Sequence, residues 1–155
     1  MSDTGSSGWA QVLEEMDAMA AELEDAGWRT LSIAAGDAAA VTADTSSTGR
    51  HGYSYVIPGD AADEFEALFA PDGFARTDVY RADGGTDLYL LTVLKDPPTE
   101  ATILIAGAFD RSRLPDCRRA AETAGTMYTD VFRVDGTRVG TFEHDDPTPF
   151  FPDDD

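Results

Sequence analysis

The chain has 155 residues, 42% of them hydrophobic and 10% aromatic, which suits one globular domain and excludes disorder throughout. Its 30 acidic residues against 11 basic ones give a net charge of −19, which argues against nucleic-acid binding carried by phosphate contacts. Cys117 is the only cysteine, so neither an intrachain disulfide nor a cysteine-based metal site is available, and no window approaches the roughly 18 apolar residues of a membrane span.

Residues 2–8, SDTGSSG, form a short polar lead-in without the basic and apolar regions of a secretion signal. Trp9, Val12, Leu13, Met16, Met19 and Leu23 then recur at helical spacing, with Ser7 as N-cap and Gly27 just past the end. WRTLSIA (28–34) alternates like a strand, and AAAVTA (38–43) is expected to be its hairpin partner across Gly36-Asp37. DTSSTGRHG (44–52) reads as a loop and YSYVI (53–57) as a strand. In PGDAADEFEALF, Asp60 is expected to cap a helix whose buried stripe is Phe65, Leu68 and Phe69. From residue 74 the pattern is that of a meander: FARTDVYRAD, a Gly84-Gly85 turn, TDLYLLTVLK (86–95), a DPP turn and EATILIAGAF (100–109). The last two strands are apolar on both faces and belong at the centre of a sheet. A short helix (114–125) with Pro115 in its first turn follows, then MYTDVFRV and TRVGTFE joined at Asp135-Gly136, a type I′ signal.

This order, α-β-β-β-α-β-β-β-α-β-β, predicts an α+β fold with one antiparallel or mixed sheet and about three helices packed mainly on one face. The expected organisation is a flexible lead (1–8), a single domain (9–146) and an acidic Pro/Phe tail (147–155) packed on it. Pro147, Pro149 and Pro152 remove three N–H donors, so the tail cannot be an inner strand. Burying Phe150 and Phe151 is worth roughly 1.5–3 kcal/mol each, which favours packing on the chain's own surface over service as a partner-binding hook. Sliding-clamp-binding peptides also carry a Phe-Phe anchor, but His144 and Pro147 stand where their glutamine and aliphatic residue would be.

The charge has two readings. Aspartate outnumbers glutamate and Lys95 is the only lysine, a style suited to molar salt, where the Debye length falls from about 10 Å at 0.1 M to about 3 Å at 1 M and self-repulsion is screened. An acidic decoy for basic partners is the competing reading. The spread of acid over the whole chain favours adaptation to the solvent, and a cytoplasmic protein.

Few residues suggest chemistry. Arg111, Arg113, Arg118 and Arg119 are concentrated around the start of the 114–125 helix and form a candidate anion site; pairing with neighbouring acids is the ordinary alternative. The TSSTGRHG loop, with Arg50 and His51, superficially resembles a phosphate cradle but lacks the Walker spacing. His51 and His144 are the only histidines, and EHDD (143–146) is a weak metal candidate. Cys117 lies beside two arginines, which would activate its thiol if it were exposed. Neither a G-x-S-x-G elbow nor a dinucleotide-binding glycine motif occurs.

The low-lysine acidic chain, with GW closing its first helix and GTFEHDDPTPFFP at its end, resembles small uncharacterised haloarchaeal domain families. The resemblance implies origin and a single domain and brings no catalytic residues with it. The expected function is a non-enzymatic protein-interaction or small-ligand module, with an unknown protein partner or small ligand and no cofactor, metal, nucleic acid or membrane. The alternative is an enzyme or sensor that binds an anionic small molecule through the four arginines.

Overall fold

The computed structural model describes residues 4–46, 48–69, 73–74, 76–84 and 86–151. Among them the chain forms α1 (Thr4–Asp25), β1 (Arg29–Ala34), β2 (Asp37–Val41), β3 (Gly52–Ile57), α2 (Gly59–Leu68), β4 (Arg76–Gly84), β5 (Asp87–Asp96), β6 (Ala101–Asp110), α3 (Leu114–Ala124), β7 (Met127–Arg133) and β8 (Arg138–His144). The order of helices and strands is the one read from the sequence; the sheet is not. In place of a single sheet there are two four-stranded mixed sheets, β1-β6-β5-β4 and β2-β3-β7-β8. Each contains one parallel pair, β1 with β6 and β3 with β7. Turn residues advertise neighbouring antiparallel pairs, whereas a parallel pair joins strands distant in sequence and leaves no local mark.

The two sheets share a core between their facing sides. Leu90, Ile103, Ile105 and Phe109 of the first sheet pack with Tyr53 and Tyr55 of the second. Tyr55 reaches across to a hydrogen bond between its hydroxyl and Thr92 Oγ1 (3.0 Å). The close approach depends on Gly107, where a Cβ would stand 2.5 Å from the Tyr55 ring. The opposite face of the first sheet, with Tyr89, Leu91, Val93 and Leu104, receives Val12 and Met16 of α1. That is why β5 and β6 are apolar on both faces: each meets a sheet on one side and a helix on the other.

The helices do not gather on one face either. α1 covers the outside of the first sheet, α2 touches strands of both sheets, and α3 lies against β2 and β3. β1 and β2 are not a hairpin. Ala35 donates its N–H to Ala106 O in the first sheet and Gly36 to Val56 O in the second, both at 2.9 Å, so the chain changes sheets between these residues.

Three local expectations also change. α1 starts at Thr4, so Ser7 is inside the helix and not its N-cap. Asp60 lies in the first turn of α2, where Pro58 holds the N-cap position. At the β7–β8 turn only Gly136 has a positive φ (92°), whereas a type I′ turn needs two such residues. Arg133 N–H bonds to Thr137 O (2.8 Å) and Gly136 N–H to Arg133 O (2.9 Å), closing a three-residue loop with a left-handed glycine. Gly85 of the expected Gly84-Gly85 turn, Ser47 of the TSSTGRHG loop and residues 152–155 of the tail lie outside the described residues.

After β8 the segment Pro147–Phe151 folds back on the molecule. Phe150 and Phe151 are 1% and 2% exposed and belong to the core between the sheets. The Tyr53 hydroxyl donates to Phe150 O (2.5 Å) and Arg81 Nη1 to Pro149 O (2.6 Å).

Candidate functional site

The outer side of the second sheet carries a buried polar centre. Side chains alternate along β7, so Thr129 and Val131 enter the core while Asp130 points to the other face. Asp130 is nevertheless 3% exposed, because the 42–51 loop folds down over it. Arg50 Nη2 donates to Asp130 Oδ1 (3.0 Å), Thr141 Oγ1 donates to the same oxygen (2.6 Å), and Thr48 Oγ1 reaches Oδ2 (3.4 Å). Arg138 Nη1 donates to Thr141 Oγ1 at 2.6 Å. The guanidinium of Arg50 lies 5.7 Å from the centre of the Tyr128 ring. The loop also supports itself: Ser46 Oγ accepts the N–H groups of Thr48 (3.2 Å) and Arg50 (3.1 Å). Ser46, Thr48 and Arg50 of the TSSTGRHG stretch thus staple the loop to the sheet.

His51 follows this anchor. Its Nε2–H donates to Thr126 O (2.5 Å), just before β7, and its ring meets Tyr128 edge-on at 5.8 Å. Gly52 then begins β3 with φ 142°, where a Cβ would lie 1.9 Å from Tyr128 O; only glycine lets the strand start so close to β7. Between the loop and α3 runs an open groove of about 580 Å³, within the usual range of ligand clefts. Its polar lining includes Thr42, Asp44, His51, Asp116, Arg119 and Thr123, with Ala120 and Ala124 as a small-residue floor.

The arginine-rich stretch is divided. Arg111 and Arg113 sit on a 3-10 turn (Arg111–Arg113) and Arg118 and Arg119 on α3. Arg118 Nε donates to Glu122 (3.0 Å), Arg119 Nη1 to Asp116 (3.3 Å), and the charge of Arg113 acts on Asp110. Carboxylates thus stand beside Arg113, Arg118 and Arg119. Asp110 itself sits below the usual carboxylate range, chiefly because it accepts the Ser112 N–H and hydroxyl. Of the four arginines, Arg119 lines the groove.

Cys117 faces inward from α3, wholly buried, with its thiol donating to Gly52 O (3.4 Å). Burial pushes its pKa up to about 11, the reverse of an activated nucleophile. His144 is buried at the end of β8, beside a smaller cleft of about 250 Å³. Its Nε2 lies 2.7 Å from Thr129 Oγ1, the first half of a nucleophile–base pair, but Nδ1 meets the Thr77 hydroxyl (3.4 Å) where a triad has a carboxylate. Thr129 is fully buried as well, out of reach of a substrate. The two histidines occupy separate clefts, and the described residues contain no group of three His, Cys, Asp or Glu positioned around a common metal position. Phe150 and Phe151, candidates for a partner hook, point into the core. No described helix is long and apolar enough to cross a membrane. The residues that sequence reading missed are Asp130 and Thr141; alternation along a strand hides an acid that only a distant loop buries.

No curated protein and no solved structure matches the chain. The family model described as a family of unknown function (DUF7529) matches residues 1–152, and the chain belongs to that family.

Proposed function

We propose that this protein is a non-enzymatic binding module that takes a small polar ligand into the groove between the 42–51 loop and α3. One observation carries this reading: the groove has a fixed wall, because Arg50 and Asp130 clamp the loop to the sheet. A preformed cleft avoids part of the ordering cost of binding. Its lining suits a ligand bearing both a cationic group, for Asp44 and Asp116, and acceptors for Arg119 and the threonine hydroxyls. A zwitterion of amino-acid type has that chemistry. The net charge of −19, spread along the chain, supports a haloarchaeal cytoplasmic setting in which molar salt screens self-repulsion.

The test is a thermal-shift screen in molar KCl with free amino acids, neutral sugars, and inorganic phosphate or sulfate. A rise in the midpoint with amino acids, lost in an Ala120→Trp variant that fills the groove, supports the reading. No response to any probe, or an equal response in the filled variant, overturns it. An anion-binding sensor or enzyme is the second reading, favoured by the position of Arg119 on the groove. It requires stabilisation by phosphate or sulfate that disappears in Arg118→Glu/Arg119→Glu.

A further inference from the structure

The C-terminal segment is fastened by contacts of different kinds. Phe150 and Phe151 place their rings 5.8 and 5.6 Å from that of Tyr53, both edge-on. The carbonyls of Pro149 and Phe150 are held by Arg81 and Tyr53. On the other side of Phe150 lies His144, with ring centroids 4.6 Å apart. The turn between them, Asp145–Pro147, is stabilised by Asp146, which accepts the Thr148 N–H at 3.0 Å.

The surroundings of His144 suit an uncharged imidazole. Among the described residues its ring nitrogens meet two hydroxyls, Thr129 on β7 and Thr77 on β4. Glu143, Asp145 and Asp146, from β8 and the turn after it, line the mouth of the cleft with exposed side chains, and none bonds to the ring. From β4, Arg81 reaches over the segment, a like charge to an imidazolium, while Asp78 pairs with Lys95. From β3 comes the phenol of Tyr53, engaged by Phe150. A proton added to His144 would place a cation under an aromatic lid without a bonded carboxylate.

We propose that Pro147–Phe151 is a strap that stays closed over a neutral His144 and opens on acidification, uncovering the apolar slot beside Tyr53. Burial supports this by lowering the imidazole's pKa from 6.5 to about 4. Opening the strap hydrates the ring and restores its ordinary basicity, so the open form binds the proton more tightly. Such a difference raises the opening equilibrium by about 30-fold between about pH 7.5 and about pH 5.

Hydrogen exchange of the full chain, at constant molar KCl, tests this at the Phe150 and Phe151 amides. After correction for the intrinsic rate, we expect their protection to fall by about 30-fold across that range while β5 and β6 stay protected. In His144→Gln, uncharged at every pH, the fall should vanish; an unchanged fall overturns the proposal and assigns the effect to the carboxylates. Should that variant fail to fold, an NMR titration of the His144 ring in the natural chain decides the matter. A midpoint well below the ordinary histidine value, together with loss of strap protection, supports the strap. A midpoint near about 6.5, protection insensitive to pH, or loss only in step with global unfolding overturns it.

Discussion

Asp130 shows how one acid can serve a surface it does not form. Its carboxylate accepts from Arg50, Thr48 and Thr141, three side chains brought together from the loop and β8. Asp130→Ala would remove the acceptor that the Arg50 guanidinium and both hydroxyls share. The Arg50 side chain keeps 29% exposure, so water still solvates its charge and the cost stays below that of a fully buried pair. We expect a loss of about 1–3 kcal/mol in chemical denaturation, together with faster hydrogen exchange in residues 44–51. His144 gives a pH dependence whose sign follows from its depressed pKa. The folded state holds the imidazole near about 4 and the unfolded chain releases it to 6.5, so the unfolded state binds more protons. This contribution is complete above about pH 6.5 and is lost as the pH falls toward about 4, for a total of about 3 kcal/mol. Denaturation curves of the natural chain and His144→Gln should converge as the pH is lowered through that window; parallel curves would refute the assignment.

Among the elements, the Pro147–Phe151 strap and α3 make opposite predictions. Removing residues 147–155 takes two buried phenylalanines out of the core and leaves the Tyr53 hydroxyl without its acceptor. The entropy regained by the strap offsets part of this, so we expect a net loss of at least about 1 kcal/mol. Phe150→Ala, which leaves the chain length unchanged, should cost about 3–5 kcal/mol in the same assay. A truncated chain that melts with the full-length protein would contradict the packing. On α3, Arg118 and Arg119 make ion pairs on the solvent side, with partners more than half exposed. Such pairs contribute little, so Arg118→Glu/Arg119→Glu should fold with a circular dichroism spectrum like that of the parent and lose less than about 1.5 kcal/mol.

At the scale of the whole molecule the dominant quantity is charge. With 30 carboxylates against 11 basic residues, repulsion acts on every element at once, and the few observed ion pairs cannot offset it. Raising KCl from about 0.1 M to about 2–3 M contracts the Debye length severalfold, and the thermal midpoint should rise markedly. A midpoint indifferent to salt would leave the acidity to be explained as a binding surface. The same screening leaves the inter-sheet core untouched, since Tyr55, Leu90 and Ile103 are held by burial.

The sequence by itself determined the succession of elements and much of their polarity. Helical spacing from Trp9 to Leu23 marked α1, double-sided apolar runs marked β5 and β6, and the prolines of DPTPFFP excluded an inner strand. These signals are local, and each concerns residues that interact within a few positions of one another. Two sheets in place of one, the passage between them at Ala35 and Gly36, and the parallel pairs β1–β6 and β3–β7 were decided only in three dimensions. So was the candidate groove. Asp130 is one acid among 30, and it becomes an anchor because Arg50 is folded onto it from a loop distant in sequence. Cys117 makes the same point in reverse: its neighbours in sequence suggest an activated thiol, but the helix turns it toward Gly52 and burial raises its pKa. Burial and long-range pairing are properties of the packed chain, and no spacing of residues along the sequence encodes which distant segment will supply them.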